Sequence, residues 1–222
     1  MAIRRSASVV LAGLAGLVPA GCGGGTGGVE LGSLPAQEAF LPLKVGNEWV
    51  YELRSPDTPV TPGQVVADRL TAKVVGRTVI DGKEWFELQI VNWDSATGDP
   101  VGGTTTILMR ETADGVYYYY DVLRTGLKWL DRRAGVGESW SGPPGLGIWW
   151  ELVGIHDTVQ APTETFTDCW HVKQHDPTGG GSLEEVWERW FRRGVGLVLV
   201  RFWGDDGTAW DDQVLLQRTV QP

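Results

Sequence analysis

The chain has 222 residues, an apolar fraction of 42% and a formal net charge of −9 at neutral pH. This length is sufficient for one domain with a sizeable core. The acidic balance argues against binding to nucleic acid phosphates, because the basic pairs Arg132-Arg133 and Arg192-Arg193 are isolated and form no patch. The sequence also lacks a catalytic or cofactor signature, so we expect neither enzyme activity nor a bound cofactor.

The first 21 residues have the three parts of an export signal. Arg4 and Arg5 give a basic start, an apolar run covers residues 9–18, and Ala20 and Gly21 supply small residues before a cleavage site. The apolar run is shorter than the ~20 residues that a transmembrane helix needs. We therefore expect residues 1–21 to be removed, which takes two positive charges away and changes the net charge from −9 to −11.

Cys22 follows directly after the signal. Ala20-Gly21-Cys22 resembles the lipobox of bacterial lipoproteins, in which the thiol takes a diacylglyceryl group and becomes the first residue; Pro19 stands where Leu, Val or Ile is usual. Residues 22–33 are rich in glycine and suit a flexible tether. The resemblance implies an exported protein whose partner is the membrane, through lipid on Cys22. Gly23 is not the aspartate of inner-membrane retention, so the resemblance implies the outer membrane where the cell has one.

The alternative is ordinary cleavage near Ala20 or Gly21, which would give a periplasmic or extracellular soluble protein. The second cysteine, Cys169, then matters. If Cys22 carries lipid, Cys169 is a buried free thiol, and if it does not, a disulfide between the two is open.

Residues 34–222 predict a single, β-rich domain, because short alternating segments are separated by turn residues. The Asp81-Gly82, Asp114-Gly115 and Asp206-Gly207 pairs predict hairpins, and Asp-Gly suits a type I′ turn. The predicted strands are residues 48–53, 70–80, 83–93, 104–110, 116–122, 197–203 and 210–216.

One short pattern occurs twice. Val45-Gly46-Asn47-Glu48-Trp49 and Val136-Gly137-Glu138-Ser139-Trp140 share a V-G-x-x-W skeleton. The pattern predicts a glycine turn that leads into a strand whose first inward residue is Trp. Two copies of a five-residue pattern leave open whether the domain arose by internal duplication.

The segment from Ser182 to Gly194 fits two structures. Its apolar residues have helical spacing, Ser182 and Glu185 could form a capping box, and Gly194 could end the helix, so one short helix over 183–193 is possible. A strand over 184–191 is the preferred alternative, because tertiary context often overrides local pattern.

Five stretches carry a resemblance to bacterial β-rich lipoproteins and secreted envelope proteins of unknown activity. They are LPLKVGNEWVYEL (41–53), DGKEWFEL (81–88), DGVYYY (114–119), VQAPTETFTDCWHV (159–172) and ERWFRRGVGLVLV (188–200). The resemblance implies an all-β fold with an antiparallel curved sheet, a half-barrel or a sandwich.

Aromatic residues are the main excess of the composition, with 12 tryptophans. Consecutive rings at 117–120 and 149–150 must lie on both faces of a strand, and only one face can be core. The candidate ligand-binding residues are Tyr117, Tyr119, Trp149 and Trp150. Such a face could bind a hydrophobic ligand, stack on sugars, or be covered by neighbours in a purely structural domain.

His171 and His175 are the best local pair of metal-ligand type, but on a strand they lie about 13 Å apart and cannot share an ion. We therefore expect no metal site. The sequence predicts a non-catalytic binding or scaffold protein of the cell envelope, with a carbohydrate-binding or carbohydrate-active secreted protein and a purely structural envelope domain as alternatives.

Overall fold

The structure is a computed structural model that describes residues 38–54, 68–177, 185–203 and 209–221. The export signal, the tether, Cys22 and the Asp206-Gly207 pair lie outside these residues. So do residues 178–184, which include the first part of the segment that could have been a helix.

The described residues form an all-β fold, as predicted, and contain no helix. The strands are β1 Glu48–Arg54, β2 Arg69–Ile80, β3 Lys83–Asp94, β4 Asp99–Pro100, β5 Thr105–Thr112, β6 Gly115–Tyr120, β7 Thr125–Asp131, β8 Ser139–Ser141, β9 Trp149–Gln160, β10 Thr165–Asp176, β11 Glu185–Arg192, β12 Gly196–Trp203 and β13 Ala209–Thr219. The possible helix over 183–193 is wrong across β11, where pairing with β10 and β12 outweighs the helical spacing of the apolar residues.

All pairs are antiparallel, in the order β7-β6-β5-β3-β2-β1-β13-β12-β11-β10-β9-β8, and β4 pairs with β3 beside this path. The sheet curves into a nearly closed barrel. Its two ends approach each other where the Trp140 Nε1–H group of β8 donates to the Lys128 carbonyl oxygen of β7 at 2.8 Å. The curved-sheet prediction is confirmed.

The strand order divides the sheet into two halves, β1 to β7 and β8 to β13. In each half the strands pair in the order in which they follow one another along the chain, with β4 set beside β3. Each half begins with the V-G-x-x-W pattern, and Gly46 and Gly137 both have positive φ, of 96° and 85°. Trp49 and Trp140 are then the first residues of β1 and β8 that point inward. The pattern therefore has the local structure that the sequence predicts.

Two of the predicted turns lie among the described residues. Asp81 and Gly82 have φ angles of 52° and 71°, as a type I′ turn requires. In the second hairpin Thr112 pairs with Gly115, so the turn residues are Ala113 and Asp114 and the predicted position is wrong by one residue. Gly115 is the first residue of β6, and only glycine fits there because a Cβ would lie 2.1 Å from the Leu130 carbonyl oxygen.

The inward side chains fill the barrel. Alternate residues of every long strand contribute to one hydrophobic cluster, in which Trp49, Val74 and Phe191 are at most 1% exposed. One cavity among the described inward residues, lined by residues such as Met109 and Trp129, has a volume of about 20 Å³, close to the space of one water molecule. This cavity is too small for a lipid.

The N-terminal segment before β1 covers one end of the barrel. The Glu111 carboxylate accepts the backbone N–H groups of Phe40 and Leu41, both at 2.7 Å, and lies 3.4 Å from Arg132. Burial raises the pKa of Glu111 to about 7, although these two N–H groups, Arg132 and Arg193 favour the charged form. One carboxylate thus holds the backbone of Phe40 and Leu41 against the barrel.

Candidate functional site

The four aromatic residues predicted to bind ligand do not form one site. Tyr117 and Tyr119 lie on the outer face of β6, whereas Trp149 and Trp150 lie on opposite faces of β9. Trp150 points inward and is 1% exposed. The structure brings Tyr119 to Trp85, with ring centroids 5.2 Å apart, and places Trp149 against His175.

The outer face of the first half carries an aromatic and cationic cluster. The Arg110 guanidinium lies 5.1 Å from the centroid of the Trp85 ring and 5.0 Å from that of Tyr117. Trp85 is only 2% exposed although it points away from the core. These rings cover one another, so they leave little open surface for a ligand.

Asp114 holds the edge of this cluster. It accepts hydrogen bonds from the hydroxyl groups of Thr112 and Tyr117 and lies 3.3 Å from Lys128. Burial would raise the pKa of Asp114, but these hydrogen bonds and the Lys128 ammonium hold it well below the usual range. Asp114 therefore stays ionised and fixes the turn rather than serving as a proton donor.

The outer face of the second half carries a row of alternating charges. The strand register places acidic and basic residues opposite one another on neighbouring strands, in the order Glu151, Lys173, Glu188, Arg201 and Asp212. Arg201 and Asp212 form a bidentate pair with two contacts of 2.8 Å. Opposite charges across a sheet stabilise its register, and the row is nearly neutral as a whole. We call these five residues the charge row.

Aromatic side chains flank the charge row on both sides. On one side the register aligns Trp149, His175, Val186 and Trp203 across four strands. The Trp149 and His175 rings stack with centroids 3.6 Å apart and an interplanar angle of 5°. Trp149 and Trp203 are partly exposed, and three strand spacings place them about 14 Å apart.

On the other side of the charge row, His171 stacks on Trp190 with a centroid distance of 4.1 Å. Its two ring nitrogens lie 3.1 Å from an Asp157 oxygen and 3.6 Å from a Glu188 oxygen. Indole N–H groups also bind these acids, since Trp190 donates to Asp157 at 3.0 Å and Trp203 donates to Glu188 at 2.7 Å.

Glu188 is consequently well supplied with donors. Burial would raise the pKa of Glu188, but the nearby His171 ring and the hydrogen bond from the Trp203 indole lower it below the usual value. Carboxylates fixed beside half-exposed indoles can hydrogen-bond to hydroxyl groups of a ligand, whereas a general acid would need a raised pKa.

The barrel interior contains one buried cation. Arg189 is 4% exposed, donates to the Gln174 side-chain oxygen at 2.9 Å, and lies 4.5 Å from the centroid of the Trp129 ring and 5.8 Å from that of Trp187. Burial lowers the pKa of Arg189 to about 9, so it remains charged at neutral pH. No carboxylate of the described residues forms an ion pair with it. An unpaired buried charge costs several kcal/mol, of which cation–π contacts recover about 2 kcal/mol each.

Cys169 is a fully buried free thiol within the core. Burial raises its pKa to about 11, so it carries no nucleophilic thiolate at neutral pH. Within the described residues, His171 and the other potential ligands form no group of three that could hold a metal ion. A helix long and apolar enough to cross a membrane is likewise not found in the part of the chain that the structure describes.

No protein-family model matches the chain, and the search of curated proteins finds no relative. Solved structures do show a similar fold. A candidate lipoprotein from Parabacteroides distasonis has 15% sequence identity and a TM-score of 0.53. A candidate exported protein with a YmcC-like fold from Bacteroides fragilis has 14% identity and a TM-score of 0.55.

Each of these two matches covers 81% of this chain and 98% of the other chain. At such low identity the similarity shows the fold alone. The kind of protein agrees with the resemblance to β-rich lipoproteins and secreted proteins that the short motifs indicated, and that resemblance is confirmed.

Sequence reasoning missed the charge row and Arg189. The members of the charge row lie on five strands, so no local pattern relates them, and the register is needed to bring them together. The sequence does give one signal for Arg189, because a single arginine occurs among the aromatic residues of Trp187 to Phe191.

Proposed function

We propose that this chain is an exported protein of the bacterial cell envelope, anchored by lipid on Cys22, that acts by binding or scaffolding and not by catalysis. The observation that carries the proposal is the Ala20-Gly21-Cys22 lipobox after an export signal. The fold that the chain shares with a candidate lipoprotein and a candidate exported protein supports it.

The arrangement of the domain supports the same proposal. Glu111 holds the backbone of Phe40 and Leu41, so a glycine-rich tether that precedes this segment would be joined to a fixed part of the domain. Several titratable groups of the outer face are paired in structural contacts, such as His171 with Asp157 and Arg201 with Asp212, and Cys169 is buried. A binding module needs no more than an exposed face.

The intact mass of the protein extracted from membranes of an expressing bacterium tests the anchor. We expect the mass of residues 22–222 plus lipid, and we expect Cys22→Ser to lose both the lipid and the partition into detergent. An unlipidated wild-type mass would contradict the anchor. A mass two hydrogens lower than that of the unlipidated chain with Cys22 retained would point to a disulfide with Cys169.

A second candidate function is carbohydrate binding on the outer face of β9 to β13. It is favoured by the outer sheet surface on which Trp149 and Trp203 lie beside the charge row, because aromatic faces and hydrogen-bonding charges together suit sugar rings. A hydrophobic ligand is less well served there, since charged residues occupy the centre of the face.

Quenching of tryptophan fluorescence by a panel of soluble glycans tests this candidate. We expect Trp149→Ala and Trp203→Ala to weaken binding at least fivefold, while Tyr117→Ala on the other half leaves it unchanged. Loss of binding in the Tyr117 variant alone would instead place the ligand on the Tyr117 and Tyr119 cluster. A flat titration for every glycan would favour a purely structural domain.

A further inference from the structure

The chain that leads into β1 is joined to β2 by a glycine bulge. Gly46, with a φ of 96°, donates its N–H group to the Val74 carbonyl oxygen at 2.9 Å, and the Val74 N–H group donates to the Asn47 carbonyl oxygen at 2.9 Å. This is the pattern of a G1 bulge, whose first residue needs a positive φ. Val45 before the bulge and Val75 after Val74 are 45% and 41% exposed. The bulge therefore presents two valine side chains to solvent.

The second half repeats this arrangement before β8. Gly137, with a φ of 85°, donates its N–H group to the Leu152 carbonyl oxygen at 2.8 Å, and the Leu152 N–H group donates to the Glu138 carbonyl oxygen at 3.0 Å. Val136 and Val153 take the places of the two valines of the first half and are 57% and 37% exposed. Single exposed apolar residues are ordinary on a protein surface, but here the same exposure recurs at equivalent positions. The rim valines, as we call these four residues, are Val45, Val75, Val136 and Val153.

Both pairs of rim valines lie at the same end of the barrel. The path from β1 to β8 crosses six antiparallel pairs, which are β1-β13, β13-β12, β12-β11, β11-β10, β10-β9 and β9-β8. Because this number is even, β1 and β8 run in the same direction and begin at the same end. Six steps in an order of twelve strands also place the two starts on opposite sides of the barrel.

The two long hairpins beside the rim valines bend across the strands of their own halves. The Thr163 hydroxyl, in the turn between β9 and β10, donates to the Leu216 carbonyl oxygen of β13 at 3.1 Å, three strands beyond β10. The Trp85 ring of β3 lies against Gly126 of β7, which is likewise three strands away. These hairpins do not cover the rim valines, which remain exposed.

The first described residues of the chain lie at this same end. The Arg132 guanidinium, directly after β7, donates to the Glu38 carbonyl oxygen at 3.3 Å. The Gly194 N–H group, in the turn between β11 and β12, donates to the Ala39 carbonyl oxygen at 2.7 Å. Strands β7 and β11 are an odd number of antiparallel steps from β1, so both end where β1 begins. Glu38 therefore lies at the end of the barrel that carries the rim valines.

The length of chain before Glu38 relates this end to the anchor. Residues 22–37 are sixteen residues (37 − 22 + 1). A flexible coil of this length spans about 22 Å between its ends. A lipid on Cys22 would therefore keep this end of the barrel within reach of the bilayer surface. Removal of apolar side chains from water is favourable, so the rim valines would have a surface against which to be buried.

We propose that the end of the barrel with the rim valines rests on the bilayer surface, with both valine pairs in contact with the lipids. The inference rests on the proposed lipid anchor and goes beyond it, because a flexible tether by itself sets no orientation. Contacts on opposite sides of one end hold the barrel upright on the membrane. The charge row on the outer face of the second half then stays open to the aqueous phase.

Site-specific fluorescence of the lipidated protein in vesicles tests this orientation. A thiol-reactive, environment-sensitive fluorophore is attached in Val45→Cys or Val136→Cys. The control is Val122→Cys, since Val122 is 63% exposed in the connection between β6 and β7 at the opposite end. Cys169 does not compete for the label, because it is buried and its pKa is raised to about 11. The vesicles consist of phosphatidylethanolamine and phosphatidylglycerol, with or without a nitroxide-labelled lipid that quenches nearby fluorophores.

We expect the nitroxide lipid to quench the labels in Val45→Cys and Val136→Cys about threefold more strongly than the label in Val122→Cys. Adding Val136→Asp should reduce quenching of the label at position 45 about twofold, because a charge resists transfer to the bilayer. Adding Val122→Asp should leave that quenching unchanged, and circular dichroism checks that all variants are folded. Equal quenching of the three labels would overturn the proposal.

Flotation of the vesicles separates this result from loss of the anchor. Protein that does not float with the vesicles would overturn the lipid anchor and the orientation together, whereas floating protein with equal quenching overturns the orientation alone. A blue shift of the labels that occurs without vesicles and grows with protein concentration would assign the rim valines to contact with a second copy of the chain. That outcome would also overturn the proposal.

Discussion

Glu111 binds the N-terminal segment to the barrel through the backbone N–H groups of Phe40 and Leu41. Its side chain is 6% exposed and its pKa is raised from 4.5 to about 7 by burial. The folded protein therefore holds a proton that the unfolded chain releases between these values, so the free energy of unfolding should fall as pH rises from about 4.5 to 7. A decline on the order of 2 to 3 kcal/mol follows from a shift of this size.

Glu111→Gln should remove that decline, because glutamine resembles the protonated acid and cannot ionise. Urea unfolding at several pH values between 4 and 8 measures the effect, and exposed Asp99→Asn is the control that should keep the wild-type slope. If the wild-type and Glu111→Gln profiles are parallel across this range, the carboxylate is ionised throughout and its ion pair with Arg132 is the dominant contact.

Individual residues also show what the sequence could predict. The alternation in 117–120 correctly predicts rings on both faces of β6, because the period of a strand is fixed by its geometry. The exposed fraction of these rings could not be predicted from the alternation. Trp85, which makes the outer face around Tyr119 nearly inaccessible, comes from another strand and enters only through the register of the sheet.

At the scale of single elements, the hairpin between β2 and β3 depends on Gly82. Its φ is 71°, and a Cβ there would meet no atom within 4 Å, so the cost of a side chain is purely conformational. Gly82→Ala should lower the free energy of unfolding by about 1 kcal/mol. Gly103, which also has open space but no positive φ, is the matched control, and Gly103→Ala should be neutral or slightly stabilising. Equal effects in denaturant unfolding would mean that the left-handed conformation carries no cost here.

The charge row should stabilise the pairing of β12 with β13. Arg201 and Asp212 have side chains that are 32% and 21% exposed, and their contact is bidentate. A double-mutant cycle with alanine should give a coupling energy of about 1 kcal/mol that falls at high salt. The exposed pair of Arg54 and Glu52, neighbours on one strand, is the control and should give almost none. A coupling energy that ignores salt would show that packing, and not charge, joins the two strands.

Strands were predictable wherever alternation and an Asp-Gly turn agreed, as in β2 and β3. The prediction was ambiguous in β11, where Trp187, Trp190 and Phe191 fit a helical face. A bulge between Trp190 and Phe191 lets consecutive large residues be buried on a strand, and such an irregularity imitates helical spacing in the sequence.

For the molecule as a whole, the two halves of the barrel are joined in different ways. In the middle, β1 pairs with β13 along seven residues of each strand. At the other junction, β8 has three residues and pairs with β9, while β7 pairs with β6. The Trp140 indole bridges that junction by its hydrogen bond to Lys128. The repeated V-G-x-x-W pattern predicts that β1 and β8 begin in a similar way. It does not predict which of the two junctions between the halves has a full strand pairing.

Amide hydrogen exchange should reveal this difference. Amides of β1 and β13 should exchange only on global unfolding, whereas those of β8 and the outer edge of β7 should exchange at least a hundredfold faster through local opening. Trp140→Phe, which keeps an aromatic ring but removes the N–H group, should accelerate exchange in β7 and β8 further and leave β13 unchanged.

Trp49→Phe is the matched variant. The Trp49 indole belongs to β1, at the junction where β1 pairs with β13, and donates to the Val195 carbonyl oxygen at 2.6 Å. This variant should lower the global free energy of unfolding without opening the β7 and β8 edges selectively. Uniform protection around the barrel would mean that the sheet closes fully and that the domain unfolds as one cooperative ring.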